Sequence, residues 1–193
     1  MGYSAENIEF YTYEDYLTWS DEERCELIHG QVYNMTAPST LHQRVSMELC
    51  IQLGQHFRNT GCQVFAAPFD VRLPEKQEAE SQTSNIVQPD ISVICDKTKI
   101  DEKGCRGAPD WIIEILSPST AAKDHIQKLA LYERHGVKSY WLIHPTDKLV
   151  TMYQQLSSNT YGKPKIVEAK NTITVDLFPE LTLNWQLIFP ENE

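Results

Sequence analysis

Two apolar runs, "WIIEIL" at 111–116 and "SYWLIH" at 139–144, stand on either side of "TAAKDHIQKLALYERHG". The spacing of that middle segment predicts a helix from about Thr120 to His135, stopped by Gly136. Strand, helix and strand with apolar runs of this kind imply a crossover onto a sheet buried on both faces. A further apolar run, "ISVIC" at 91–95, supplies another strand just upstream. The unit restricts the chain to a mixed α/β architecture, a central mixed sheet with helices packed on it.

The other segments are compatible with this frame. "TYEDYLTWS" reads as a short helix with Thr12 as N-cap and acids in its first turn. "ELIHGQVYNM" alternates around His29 and Gly30 as a hairpin. Leu41, Val45, Leu49, Leu53 and Phe57 recur every four positions, one stripe of an amphipathic helix that ends near Gly61. "VFAAPFDVRL" reads as one strand, with Phe65, Ala67, Phe69, Val71 and Leu73 on one face, Asp70 and Arg72 on the other, and Pro68 marking an edge or bulge. The polar segment at 74–85, "PEKQEAESQTSN", is expected to be a mobile surface loop. From Thr151 on, short strands joined by "SSNTYGK" would close or extend the sheet. At 193 residues without an internal repeat, a single domain is expected.

Several function classes lack their signals. A formal charge of -10 argues against holding nucleic acid by bulk electrostatics, so any such role needs a metal or a local basic patch. The five cysteines, at 25, 50, 62, 95 and 105, contain no C-x-x-C pair, and reduced thiols are expected. The N-terminal stretch has no signal-peptide pattern and no run is long enough to span a bilayer, so a cytoplasmic protein is expected. No G-x-S-x-G, Walker A, G-x-G-x-x-G or H-E-x-x-H occurs. His125, His135 and His144 fall on a helix, a helix end and a strand end, and the aromatic clusters read as core.

Glu114 is the anomaly. On an extended "WIIEIL" it shares a face with Ile112 and Leu116, while Trp111, Ile113 and Ile115 face the other way. An ionised carboxylate in such surroundings needs a cation, hydrogen bonds or a proton. A buried salt bridge would satisfy it; so would a metal. Asp90 follows Pro89 at the mouth of the preceding strand, and two carboxylates on neighbouring strands plus a main-chain carbonyl suit Mg2+ or Mn2+. Asp124 and Lys128 lie four apart on the crossover helix and form either a solvated ion pair or part of the same cluster, since the first turns of that helix must lie near the end of the Glu114 strand. Lys128 would there orient or deprotonate a water, or stabilise phosphoryl charge.

Asp90 after Pro89, then Glu114 on the next strand, resembles the PD-(D/E)XK signature of restriction-endonuclease-like nucleases, with Leu116 where the signature has lysine. The order of "CELIHG", "PDISVI", "IIEILSPST" and "KDHIQKLALYERHGVKSYWLIHP" is similar to the Uma-two family of endonucleases, in which the following helix supplies the lysine. The resemblance implies a restriction-endonuclease-like core in which Asp90, Glu114 and the carbonyl of Ile115 surround Mg2+ or Mn2+, and Lys128 replaces the missing lysine. It also implies a metal- or water-binding role for Glu26, positions near the same cavity for His42 and Asp70, DNA as substrate, and a homodimer. The rival reading is a catalytically silent domain of this fold that serves as a dimerisation or protein-interaction module.

Overall fold

The computed structural model describes residues 9–20, 24–76 and 78–190. A one-turn helix α1 (Tyr13–Tyr16) precedes a hairpin of β1 (Cys25–Ile28) and β2 (Gln31–Asn34), then the long helix α2 (Thr40–Phe57). Strands β3 (Gln63–Ala66), β4 (Val71–Arg72), β5 (Ile86–Val87), β6 (Ile91–Ile94), β7 (Ile100–Asp101), β8 (Gly104–Arg106) and β9 (Trp111–Ile115) come next. The crossover helix α3 opens with a π-helical segment, Lys123–Lys128, and continues as an α-helix over Leu129–His135. After it come β10 (Ser139–His144), β11 (Leu149–Gln154), β12 (Lys165–Glu168), β13 (Thr172–Val175), β14 (Phe178–Asn184) and a last turn α4 (Trp185–Ile188).

The strands form two six-stranded sheets and one hairpin. In the central sheet, ordered β12-β11-β10-β9-β6-β3, only β9 and β10 run parallel, and α3 is their crossover. The second sheet, ordered β2-β1-β5-β4-β8-β7, is antiparallel apart from the β4–β8 pair. The alternation in β9 divides its side chains between two cores, as its sequence requires. Trp111, Ile113 and Ile115 pack against Val45, Leu49, Leu53 and Phe57 of α2 and against Leu181 and Leu183 of β14. Ile112 and Leu116 pack on the other face with Val71 and Val87 of the second sheet and with Leu131 and Tyr132 of α3. Burial stabilises each such large apolar side chain by about 1.5–3 kcal/mol relative to exposure.

Local chemistry accounts for the ends of the elements. Asp15 accepts hydrogen bonds from the Thr12 amide at 2.8 Å and the Thr12 hydroxyl at 2.9 Å, closing the start of α1. His29 and Gly30 both take positive φ, 53° and 73°, the geometry of a two-residue hairpin turn that matches strand twist. Gly136, at φ 83°, ends α3 in the left-handed conformation that L side chains disfavour.

Four expectations need correction. "VFAAPFDVRL" is two strands in different sheets: β3 forms an edge of the central sheet, and β4 lies inside the second sheet. The alternation runs on across Pro68, so nothing local betrays the change of sheet. Leu41 is exposed at the start of α2, where the helix has not yet reached the sheet; the rest of the stripe is buried. The 74–85 segment is not all surface: it contains a 3-10 turn, Glu80–Gln82, and Thr83 and Asn85 are fully buried, with Asn85 holding the hairpin through the His29 amide. Cys62 and Cys95 are joined by a disulfide, because they extend the antiparallel register beyond the pair Gln63 and Ile94; Cys25, Cys50 and Cys105 are free thiols.

Candidate active site

The two sheets and the starts of α2 and α3 enclose a cavity of about 870 Å³. Each element delivers one or more ionisable groups to its wall. Glu26 comes from β1, His42 from α2, Asp90 from the mouth of β6, Glu114 from β9, and Lys123, Asp124 and Lys128 from the π segment of α3.

Lys128 is the hub. Its ammonium lies 2.7 Å from Glu114 Oε1, 2.7 Å from Glu26 Oε1 and 3.6 Å from Asp124 Oδ1. Lys123 meets the other oxygen of Glu26, Oε2, at 2.6 Å. The Tyr132 hydroxyl donates to Glu114 Oε1 at 2.9 Å, and the Gln88 amide donates to Glu26 Oε1 at 3.0 Å. Asp90 Oδ2 accepts the Ile115 amide at 2.7 Å and lies 3.1 Å from His42 Nε2, while the Asp90 amide approaches Glu114 Oε2 at 3.4 Å. Asp90 and Glu114 are thus held side by side, Asp90 through Oδ2 and Glu114 mainly through Oε1.

The π segment explains why two lysines reach one carboxylate. In an α-helix, residues five apart are turned about 140° from each other. The wider turn of a π-helix bonds residue i to i+5, and here Lys123 and Lys128 both address Glu26.

Charge does not balance in this cluster. Glu26, Asp90, Glu114 and Asp124 share the cavity with two ammonium groups and the Arg24 guanidinium, which leaves a formal surplus of one negative charge. Burial pushes the Glu114 carboxyl up to about 8, against the pull of Lys128 and with the help of Asp124, Asp90 and Glu26. Burial also raises Asp124, whose Oδ1 has no hydrogen-bond partner among the described residues. Glu26 goes the other way: burial opposes its charge, but Lys128 and Lys123 outweigh burial and hold it below the usual carboxylate range. Lys128 is desolvated too, yet Glu114, Glu26 and Asp124 keep it well above the ordinary lysine value.

Glu114 makes stability depend on pH with a definite sign. Its folded-state pKa, about 8, lies above its ordinary 4.5, so the folded chain holds this proton more tightly than the unfolded chain does. The contribution is complete below about pH 4.5 and is lost as pH rises to about 8. Glu114→Gln has no such proton, so across that window the variant is expected to gain on wild type by about 1 kcal/mol per pH unit. Urea unfolding of both proteins at the two ends of the window measures the change.

The chain has counterparts among known proteins. A family profile described as "Putative restriction endonuclease", Uma2, matches residues 13–186. The chain belongs to the Uma2 family. An uncharacterized protein of Synechocystis is 28% identical over 145 residues, which cover 74% of this chain and 73% of that protein. A crystal structure from Anabaena variabilis, described as that of a "putative nuclease", superposes with a TM-score of 0.72 at 22% identity. The superposition covers 92% of this chain and 97% of that one, and the likeness is one of fold.

The Uma2 fold brings most of the residues expected from sequence to one place. Glu26, Asp90, Glu114, Asp124, Lys128, His42 and Ile115 all line the one cavity. Asp70 does not: it sits behind Gln88, accepting from Gln88 Nε2 at 2.9 Å and Tyr16 at 3.2 Å, because β4 carries it into the second sheet. Asp124 and Lys128 are buried, so the solvated ion pair is excluded. Sequence reasoning misses Lys123, Tyr132 and Gln88. Tyr132 carries a signal, four residues after Lys128 and so on the same helical face; Lys123 and Gln88 carry none.

Among the described residues no three His, Cys, Asp or Glu side chains converge on one point as a closed metal cage. The free donors are fewer: Asp90 Oδ1 accepts no hydrogen bond among the described residues, and Glu114 Oε2 has only the long contact to the Asp90 amide. Two hard oxygens with open surroundings and a surplus of negative charge suit Mg2+, which keeps several waters and takes few carboxylates. The residues therefore fit such an ion.

Proposed function

We propose that this chain is one restriction-endonuclease-like domain that hydrolyses DNA phosphodiester bonds with Mg2+ or Mn2+. The observation that carries the reading is the pairing of Asp90 and Glu114 beside a buried lysine, with Asp90 Oδ1 unbonded among the described residues and Glu114 Oε2 met only by the long Asp90 amide contact. Asp90, Glu114 and the carbonyl of Ile115 would hold the metal. When bound, the ion activates water and neutralises the scissile phosphate.

The protein's own groups prepare this site. His42 and the Ile115 amide fix Asp90 through Oδ2, which leaves Oδ1 for a ligand. Tyr132 and Lys128 both donate to Glu114 Oε1, which leaves Oε2. Tyr132 keeps its proton, because burial and the neighbouring Glu114 raise its pKa well above the ordinary value, so it is a permanent donor. Lys128 keeps its proton as well, which suits it to stabilise developing phosphoryl charge and not to deprotonate water. Glu26 acts through Lys128, whose ammonium it shares with Glu114.

A metal that binds Glu114 must displace the proton Glu114 carries below about pH 8. Calorimetry with Mn2+ in buffers of different ionisation enthalpy is expected to show a proton released on binding, with affinity rising about tenfold per pH unit below that point. Purified protein should cleave DNA with Mg2+ or Mn2+ and lose metal uptake in Asp90→Ala. Absence of both cleavage and uptake would leave the silent interaction module as the better account.

A further inference from the structure

Arg24 differs from every other cation of the cavity wall. Lys123 and Lys128 are closed on carboxylates, and elsewhere in the fold the buried Arg72 is met by Asp101 and Glu80. Arg24 is exposed, lines the cavity, and forms no ion pair with a carboxylate among the described residues. Its Nε and Nη2 instead donate to Gln88 Oε1 at 3.2 and 2.9 Å. Gln88 is itself fixed from three sides: its amide donates to Glu26, and its Nε2 donates to Asp70 at 2.9 Å and to Tyr16 at 3.3 Å. Asp70 feels the guanidinium, but Gln88 stands between them.

A neutral amide oxygen orients a guanidinium without cancelling its charge, and the remaining N–H groups of the planar fork stay uncommitted. Such a fork matches the paired oxygens of a phosphate. Gln88 also lies two residues before Asp90, so whatever Arg24 binds is held at a fixed offset from the paired carboxylates. In a cavity with surplus negative charge, a preoriented cation at the wall with no carboxylate partner among the described residues is the group an incoming polyanion meets.

We propose that Arg24, oriented by Gln88, binds a backbone phosphate of the nucleic-acid strand that flanks the phosphodiester placed at Asp90 and Glu114. The proposal rests on the nuclease reading and adds the strand's anchoring point to it.

Fluorescence anisotropy with a labelled single-stranded oligonucleotide, without added Mg2+ or Mn2+ and over a series of KCl concentrations, tests it. Arg24→Ala is expected to weaken binding about tenfold and to reduce the slope of log affinity against log salt by about one. Arg24→Lys should keep the slope while losing part of the affinity, since charge remains and the fork does not. With metal added, Arg24→Ala should raise KM and leave kcat near wild type. If wild type binds and cleaves but Arg24→Ala matches it in affinity and slope, the anchoring role is overturned and the nuclease reading survives. If wild type neither binds nor cleaves, both are overturned.

Discussion

Glu114→Gln, and separately Asp90→Asn, is expected to lower the hydrolysis of DNA by about 10³-fold, the scale seen when a preorganised charge at a reacting centre is lost. The substitution is nearly isosteric, and Tyr132 and Lys128 still find an oxygen on the amide. What it removes is the carboxylate charge that Glu114 can take on when it gives up its proton. Because burial opposes that charge, Glu114→Gln should be at least as stable as wild type near pH 8, where wild type begins to ionise. A steady-state cleavage assay beside a thermal melt reads both halves of the expectation. A variant that stays active, or one that is inactive only because it unfolds, would remove Glu114 from the chemistry.

Lys128→Met should have the largest effect on stability. Glu26, Glu114 and Asp124 all lean on this one ammonium, and all three carboxylates are buried. Removing the cation leaves Lys123 on Glu26 and no ammonium on the other two, a loss of about 3–5 kcal/mol for an uncompensated buried charge. For a chain of this size that corresponds to a melting temperature lower by roughly 10 °C. The defect should shrink as pH falls and the carboxylates take up protons. At pH high enough to ionise Glu114, the double variant Lys128→Met with Glu114→Gln should recover much of the loss, since one stranded charge is gone; a double variant no better than the single there would show that Lys128 stabilises through packing instead.

Much of this cluster is legible in the chain itself, and the reasons are local. Glu114 announces itself because a strand alternates, and Asp90 because a proline opens the run that continues from it. Lys128 is implied by the crossover, which must bring the first turns of α3 back over β9. The features that escape depend on register or on distant partners. Lys123 faces away from Lys128 in any regular α-helix, and only the π segment turns it in. Cys62 and Cys95 are 33 residues apart and meet only because β3 and β6 pair with Gln63 opposite Ile94. Arg24 finds Gln88 across 64 positions, with no periodicity to link them. Asp70 misleads because alternation continues through Pro68 although the chain changes sheets there.

Under the proposed reading, in which the lysine comes from a helix, there is a consequence at Leu116. In the PD-(D/E)XK pattern one strand carries both the acid and the lysine, so the strand end has to serve chemistry and packing together. Here residue 116 is released to the apolar layer with Ile112 and Leu131, and the ammonium is carried by a separate segment. The ammonium and the apolar side chain at residue 116 therefore sit on different segments, which Leu131 and Tyr132 of α3 tie together by packing on the same layer.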